Sequence, residues 1–218
     1  MEENKVNKLL AFEERMNNLS KLQFEYTSAG TFTLSPQRAN ANEKFTKMDF
    51  ILTAQREDAK TGESKRVKLA HINMLRIPSN LHKSQNLGKE YDITEAMHSA
   101  HLGIVADALQ LGRWGIPTKP THSIDIFDAL LFSDLYYIEE LVVEKEFRNN
   151  GLGSAIIDAI PLLIEYYNGG DEVLLTLMMV PIEEPTHKNW DEAYAKLEAF
   201  YRKNNFVMLN NNVCAKRA

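Results

Sequence analysis

The sequence predicts an α/β protein organised around a buried sheet, and three observations support this. Leu135–Val143 (LYYIEELVV) has the aromatic and β-branched composition of a strand. Val173–Val180 (VLLTLMMV) is a continuous apolar run, as expected of a strand covered on both faces. Two amphipathic helices alternate with them. Leu152, Ile156, Ala159/Ile160, Leu163 and Tyr166/Tyr167 form one stripe, and Trp190, Ala193, Tyr194, Leu197, Phe200 and Tyr201 form the other.

The remaining elements follow from pattern and punctuation. Asn4–Leu22 carries Val6, Leu9, Leu10, Met16 and Leu19 at helical spacing. Gln23–Ser28 and Thr31–Leu34 read as short strands broken at Ala29-Gly30. Lys44–Gln55 and Lys65–Ile77 read as a hairpin around the polar turn Arg56–Ser64, with Val67, Leu69 and His71 alternating against Lys68, Ala70 and Ile72. Asp92-Ile-Thr-Glu95 has the form of a capping box, which opens a helix running to about Gly112. Gly115, Pro117 and Pro120 interrupt the chain before a short helix near Ser123–Phe132. The helix from Leu152 stops at Asn168-Gly169-Gly170, and Pro161 inside it removes one hydrogen bond and should bend it. Phe206–Leu209 and Asn212–Ala215 suit a closing pair of strands.

Composition bounds the function. A length of 218 residues fits one large domain or two small ones. The formal charge of −5 gives no drive for sequence-independent nucleic-acid binding, which draws on many Lys and Arg contacts to phosphate. Lys65, Arg66 and Lys68 are a local exception. A lone cysteine, Cys214, makes no internal disulfide and excludes a multi-thiolate zinc site. The start lacks the pattern of a secretory signal, and no apolar run is long enough to span a bilayer. The expectation is a cytoplasmic protein with no membrane or nucleic-acid partner.

The segment from Leu141 to Ala155 carries the functional signal. A strand leads into a polar turn, Glu144-Lys-Glu-Phe-Arg148-Asn149-Asn150-Gly151-Leu152-Gly153-Ser154, and a helix begins at once. Helix starts leave backbone N–H groups without internal partners and carry partial positive charge, so a pyrophosphate fits there. Gly151 and Gly153 allow close approach of the backbone, Arg148 adds a forked cation, and Ser154 adds a hydroxyl. A lone Gly-x-Gly also suits a plain strand-to-helix turn. A dinucleotide fingerprint requires Gly or Ala where Ile156 stands, and a P-loop requires Gly-Lys-Ser/Thr, which is absent.

With Leu141, Val143, Arg148, Gly151 and Gly153 in register, the stretch resembles the acyl-CoA-binding motif of the GNAT superfamily of N-acetyltransferases, L-x-V followed by R/Q-x-x-G-x-G/A. A second signature of that family, A-x-x-F/L-Y-x-K-x-G-F, resembles Ala199–Phe206, with Asn205 where Gly is usual. Asn is the best replacement for Gly at a left-handed helix stop. The resemblance covers about a third of the chain. It implies a mixed, mostly antiparallel central sheet with helices on both faces. It also implies a single domain over residues 1–218 with a CoA-binding core at about 135–210. The helical segment at about 78–133 is longer than the usual connection and reads as an insert that shapes the acceptor pocket.

The resemblance further implies acetyl-CoA as cosubstrate. The turn from Arg148 through Asn149, Asn150, Gly151, Leu152 and Gly153 to Ser154 would take the pyrophosphate, and Leu141, Val142 and Val143 the pantetheine. The reaction would be direct attack of a primary amine on the thioester. Keeping a lysine-like amine neutral at pH 7 costs roughly 4.6 kcal/mol, so a base is needed. Glu139 and Glu140 are the candidates; they point to opposite sides of the strand, so at most one faces the acceptor. Tyr201 matches the tyrosine that family members place near the CoA sulfur as general acid. Family members commonly dimerise, so a homodimer is among the expected assemblies. The alternative is a GNAT-fold module that binds CoA without turnover. His98 and His101, three apart after Glu95, have no second cluster to complete a zinc site, so no metal is expected.

Overall fold

The period-two runs and helical stripes become strands and helices in a computed structural model, which describes residues 22–33, 44–57, 63–77, 97–98, 101–111, 126, 129, 133–168, 172–181 and 189–218. In chain order these include β1 (Leu22–Thr33), β2 (Lys44–Glu57), β3 (Ser64–Ile77), α1 (Gly103–Ala108), β4 (Asp134–Val143), α2 (Leu152–Asn168), β5 (Val173–Met178), α3 (Trp190–Lys203), β6 (Val207–Met208) and β7 (Val213–Arg217). The strands make a seven-stranded sheet in the order β1-β2-β3-β4-β5-β7-β6. It is mixed and mostly antiparallel. β4 and β5 pair in parallel, whereas β7 is antiparallel to both β5 and β6.

The chain groups into two compact units. One comprises Met1–Ser28, Met48–Asn73 and Glu140–Asp171; the other comprises Ala29–Lys47, Met74–Glu139 and Glu172–Ala218. In the first, alternate residues of β2 (Met48, Phe50, Leu52) are buried, as are Leu69, Ala70 and Ile72 of β3. The apolar face of α2 is buried through Leu152, Ala155, Ile156, Ala159, Ile160 and Ile164. Ile164, not the expected Leu163, continues that stripe; Leu163 is half-buried. α2 runs on through Pro161, which has no N–H to give the Ile157 carbonyl.

The second unit packs Leu75, Ile77, Met97, Leu102, Val105, Leu109, Leu135, Leu174, Val213 and Ala215 into one cluster. The expected helix from Asp92 to Gly112 is interrupted here. Residues 97–98 are helical, His101 has φ 63°, and α1 begins afresh at Gly103. The Leu102 amide donates to the Met97 carbonyl at 2.7 Å and the His101 amide to the His98 carbonyl at 3.1 Å. Those are the paired bonds of a Schellman stop, which satisfies the last carbonyls of a helix.

The same pair of bonds ends α1, with Gln110 at φ 53°, and α3, with Asn205 at φ 64°. None of these three helix stops holds glycine. A side chain with a Cβ is strained there, more for most residues than for Asn. His101→Gly should therefore stabilise the protein by about 0.5 kcal/mol, and Asn205→Gly should change it by only a few tenths. Denaturant melts of both variants against wild type check this.

β1 passes unbroken through Ala29-Gly30, where two strands were expected. The hairpin β2–β3 and the closing pair β6–β7 form as the pattern indicates. The expected helix Asn4–Leu22 lies outside the described residues, apart from Leu22, which opens β1. Most of the 78–133 segment also lies outside them.

Candidate functional site

The turn after β4 is built by short-range bonds. The Glu144 amide donates to the Leu69 carbonyl at 2.9 Å, and a single 3-10 turn follows over Lys145–Phe147. Arg148 is extended, and its Nε donates back to the Val143 carbonyl at 2.8 Å, closing the loop. Asn149 then takes φ 63° and Gly151 φ 82°. A Cβ built on Gly151 meets nothing within 4 Å, so the glycine answers to backbone conformation rather than to space. The first rung of α2 is the Ala155 amide to the Gly151 carbonyl at 3.0 Å. The amides of Leu152, Gly153 and Ser154 therefore precede the helical ladder. Asn149, Asn150 and Gly151 are exposed, Gly153 and Ser154 half-buried, and Leu152 buried. Leu141, Val142 and Val143 are half-buried.

In the other unit, β4 and β5 pair only from Asp134↔Val173 to Tyr137↔Thr176. β5 continues to Met178 in register with β7, and β4 continues past Tyr137 without a β5 partner. Two parallel strands that part in mid-course leave backbone groups on the inner edge of β4 unclaimed by the sheet. Ile138 and Glu139 lie just beyond that divergence, and Leu141–Val143 follow in sequence.

The two candidate bases differ in setting. Glu139 is exposed and lies 3.8 Å from Lys47, with both side chains about 40 % accessible. Glu140 is gripped. His71 Nε2 lies 3.0 Å from its Oε2, and the Asn73 amide donates to the same oxygen at 3.2 Å. A carboxylate only accepts, so Nε2 carries the proton of this bond. Nδ1 is buried and has no hydrogen-bond partner among the described residues.

Tyr201 lies in the second unit, 6 % exposed. Its ring stands edge-on to Phe200 at 5.1 Å and to Phe206 at 5.3 Å. Phe206 also donates its amide to the Tyr201 carbonyl at 3.0 Å, so the helix stop and the aromatic cluster share these residues. Burial, and after it the nearby Cys214 thiol, pushes the Tyr201 hydroxyl far above the usual phenol range. Burial likewise pushes the Cys214 thiol up to about 12. Tyr201 thus holds its proton firmly, as a hydrogen-bond donor does, and giving it up to an ordinary thiolate is uphill.

No family model matches the sequence, and no curated protein matches it. Similar solved structures include the KacTA–DNA complex (TM-score 0.39, 10 % identity, covering 90 % of this chain and 93 % of that one). A point mutant of KacT (TM-score 0.39, 11 % identity, covering 91 % and 95 %) is another. Rtt109 from Aspergillus fumigatus (TM-score 0.33, 9 % identity) is matched over 85 % of this chain and 40 % of its own. Similarities at this level carry no argument about function here. The expectation of no nucleic-acid partner gains no support from them.

Among the described residues, no group of three or more His, Cys, Asp or Glu side chains is placed to hold a metal ion. His101 sits in a left-handed turn, and the His98 ring packs against Gly103, where a methyl group would collide with it. Among the described residues no helix is long and apolar enough to cross a membrane. His71 and Asn73 were not singled out in the sequence. Their stride of two did place them on one face of a strand, but their partner Glu140 is 69 residues from His71.

Proposed function

We propose that the chain is an N-acyltransferase that moves an acetyl or similar acyl group from acyl-CoA to a primary amine. The turn after β4 carries this reading. Left-handed Asn149 and Gly151 lead into α2, whose opening amides precede its ladder. Such a turn suits the pyrophosphate of CoA. The pantetheine would run along β4 beyond Tyr137, where β5 no longer pairs with it, and free backbone N–H groups there would polarise the thioester carbonyl. Glu140 would take a proton from the acceptor; Tyr201 is the residue that the resemblance of Ala199–Phe206 offers as donor to the departing sulfur. Acetyl-CoA is the cosubstrate of choice and needs no metal.

A thermal-shift comparison of CoA, acetyl-CoA, NAD and ATP tests the binding step. A ligand at a hundred times its Kd stabilises by about 2.7 kcal/mol, so the two CoA species should raise Tm clearly and NAD and ATP should not. Gly151→Val forces a β-branched residue into φ 82°, at a cost of about 1–3 kcal/mol, or turns the α2 amides away. It should weaken acetyl-CoA binding at least about tenfold by calorimetry. Stabilisation by NAD or ATP instead would overturn the assignment.

A second reading, a module that binds CoA without turnover, draws on the deep burial of Tyr201 and its tightly held proton. Tight acetyl-CoA binding with no transfer to any of a panel of amines would favour it.

A further inference from the structure

We propose that His71 is a positioning residue for Glu140: its Nε2–H, together with the Asn73 amide, fixes carboxylate oxygen Oε2 and leaves Oε1 as the basic atom offered to the acceptor amine. The proposal rests on the acyl-transfer reading and adds to it a pair of residues on β3. Both donors converge on one oxygen, His71 at 3.0 Å and Asn73 at 3.2 Å, and Oε1 makes no hydrogen bond or ion pair among the described residues. The Glu140 side chain is 40 % accessible, so Oε1 is within reach of solvent or substrate, whereas His71 is 22 % accessible with Nδ1 wholly buried. A surface ion pair between mobile side chains has neither feature. Here the buried Nδ1 meets no acceptor among the described residues, so Nε2 is the donor. That arrangement selects one tautomer and one direction for the hydrogen bond.

The step it serves balances as follows. An N–H bond of the acceptor ammonium breaks and its proton passes to Glu140 Oε1. The freed nitrogen lone pair forms a bond to the thioester carbonyl carbon, and the carbon–sulfur pair leaves on sulfur. Sulfur takes a second proton from the nitrogen, directly or through a hydroxyl that gives one proton and regains one. Glu140 then releases its proton to solvent, leaving an amide and free CoA thiol. The clamp contributes orientation: a carboxylate turned by about 1 Å loses on the order of a hundredfold in rate.

Two measurements test this. Imidazole 15N NMR on the wild-type protein should show His71 protonated at Nε2; the tautomer protonated at Nδ1 alone, or an even mixture of the two tautomers, would overturn the clamp whether or not the protein transfers acyl groups. Steady-state transfer to an amine panel should show His71→Ala with kcat lowered at least about tenfold and the KM for acetyl-CoA unchanged. His71→Gln, which retains an N–H directed at Glu140, should recover most of that loss. Wild-type kcat in His71→Ala would overturn the positioning role while leaving acyl transfer intact. An equal loss in His71→Gln and His71→Ala would overturn it in favour of the ring itself as base. A wild-type protein that binds acetyl-CoA and acylates nothing overturns the acyl-transfer reading and the positioning role with it, and the tautomer result still reports on the clamp.

Discussion

Glu140→Gln should lower kcat for amine acylation by on the order of a hundredfold or more, the usual range for removing a general base. Glutamine keeps the length of the side chain, and its amide oxygen still accepts from His71 and Asn73. What it loses is the basic atom. Acetyl-CoA affinity should be unchanged, since the turn that would hold the pyrophosphate does not involve this side chain. Glu139→Gln is the matched control: Glu139 is exposed and its contact with Lys47, at 3.8 Å, is a surface pair worth about 0–1 kcal/mol. Its kcat should stay within about threefold of wild type. Calorimetry of acetyl-CoA binding, run beside steady-state kinetics on both variants, separates the two steps. Equal losses in the two variants would remove the basis for choosing Glu140.

Tyr201→Ala should destabilise the protein by about 3–5 kcal/mol, the cost of emptying a buried aromatic site. For a chain of 218 residues that lowers Tm by roughly 6–20 °C. The ring is packed edge-on against Phe200 and Phe206, and Phe206 is the residue whose amide closes the end of α3, so the helix stop loosens with the cluster. Tyr201→Phe keeps all of that packing and should stay within about 1 kcal/mol of wild type. If the hydroxyl serves the departing thiolate, the same variant lowers kcat by about tenfold or more with acetyl-CoA binding intact. If Tyr201→Phe retains full transfer, the buried hydroxyl is structural and sulfur takes its proton elsewhere. Thermal melts and kinetics on the Phe and Ala variants together make the distinction.

Much of the candidate site's local geometry was legible because it is contiguous in sequence. The turn from Leu141 to Ser154 is contiguous, so glycine placement and the strand-to-helix switch could be read directly; the positive φ of Gly151 is a reason for that glycine that the sequence reading, which invoked close backbone approach, did not name. Asn205 in place of glycine at the end of α3 was likewise readable, since the left-handed stop depends on one residue and its immediate bonds. The break at His101 was not. Nothing in the Asp92–Gly112 pattern marks it, because His is an ordinary helix residue and only packing of Leu102 and Met97 into the apolar cluster makes the stop worthwhile. Ala29-Gly30 is the converse: glycine suggested a break, and sheet pairing carried the strand through it.

The linear chain by itself determined the types of the described elements, the anion-suited turn, the helix stop at Asn205 and the pool of candidate carboxylates, because each depends on residues within a few positions of one another. Only the tertiary structure decided that β4 and β5 part after Tyr137, that Tyr201 is buried, and that Glu140 rather than Glu139 is held by His71 and Asn73. Those outcomes depend on strand pairing and packing between residues tens of positions apart. No local propensity encodes which of two adjacent carboxylates will meet a histidine on another strand.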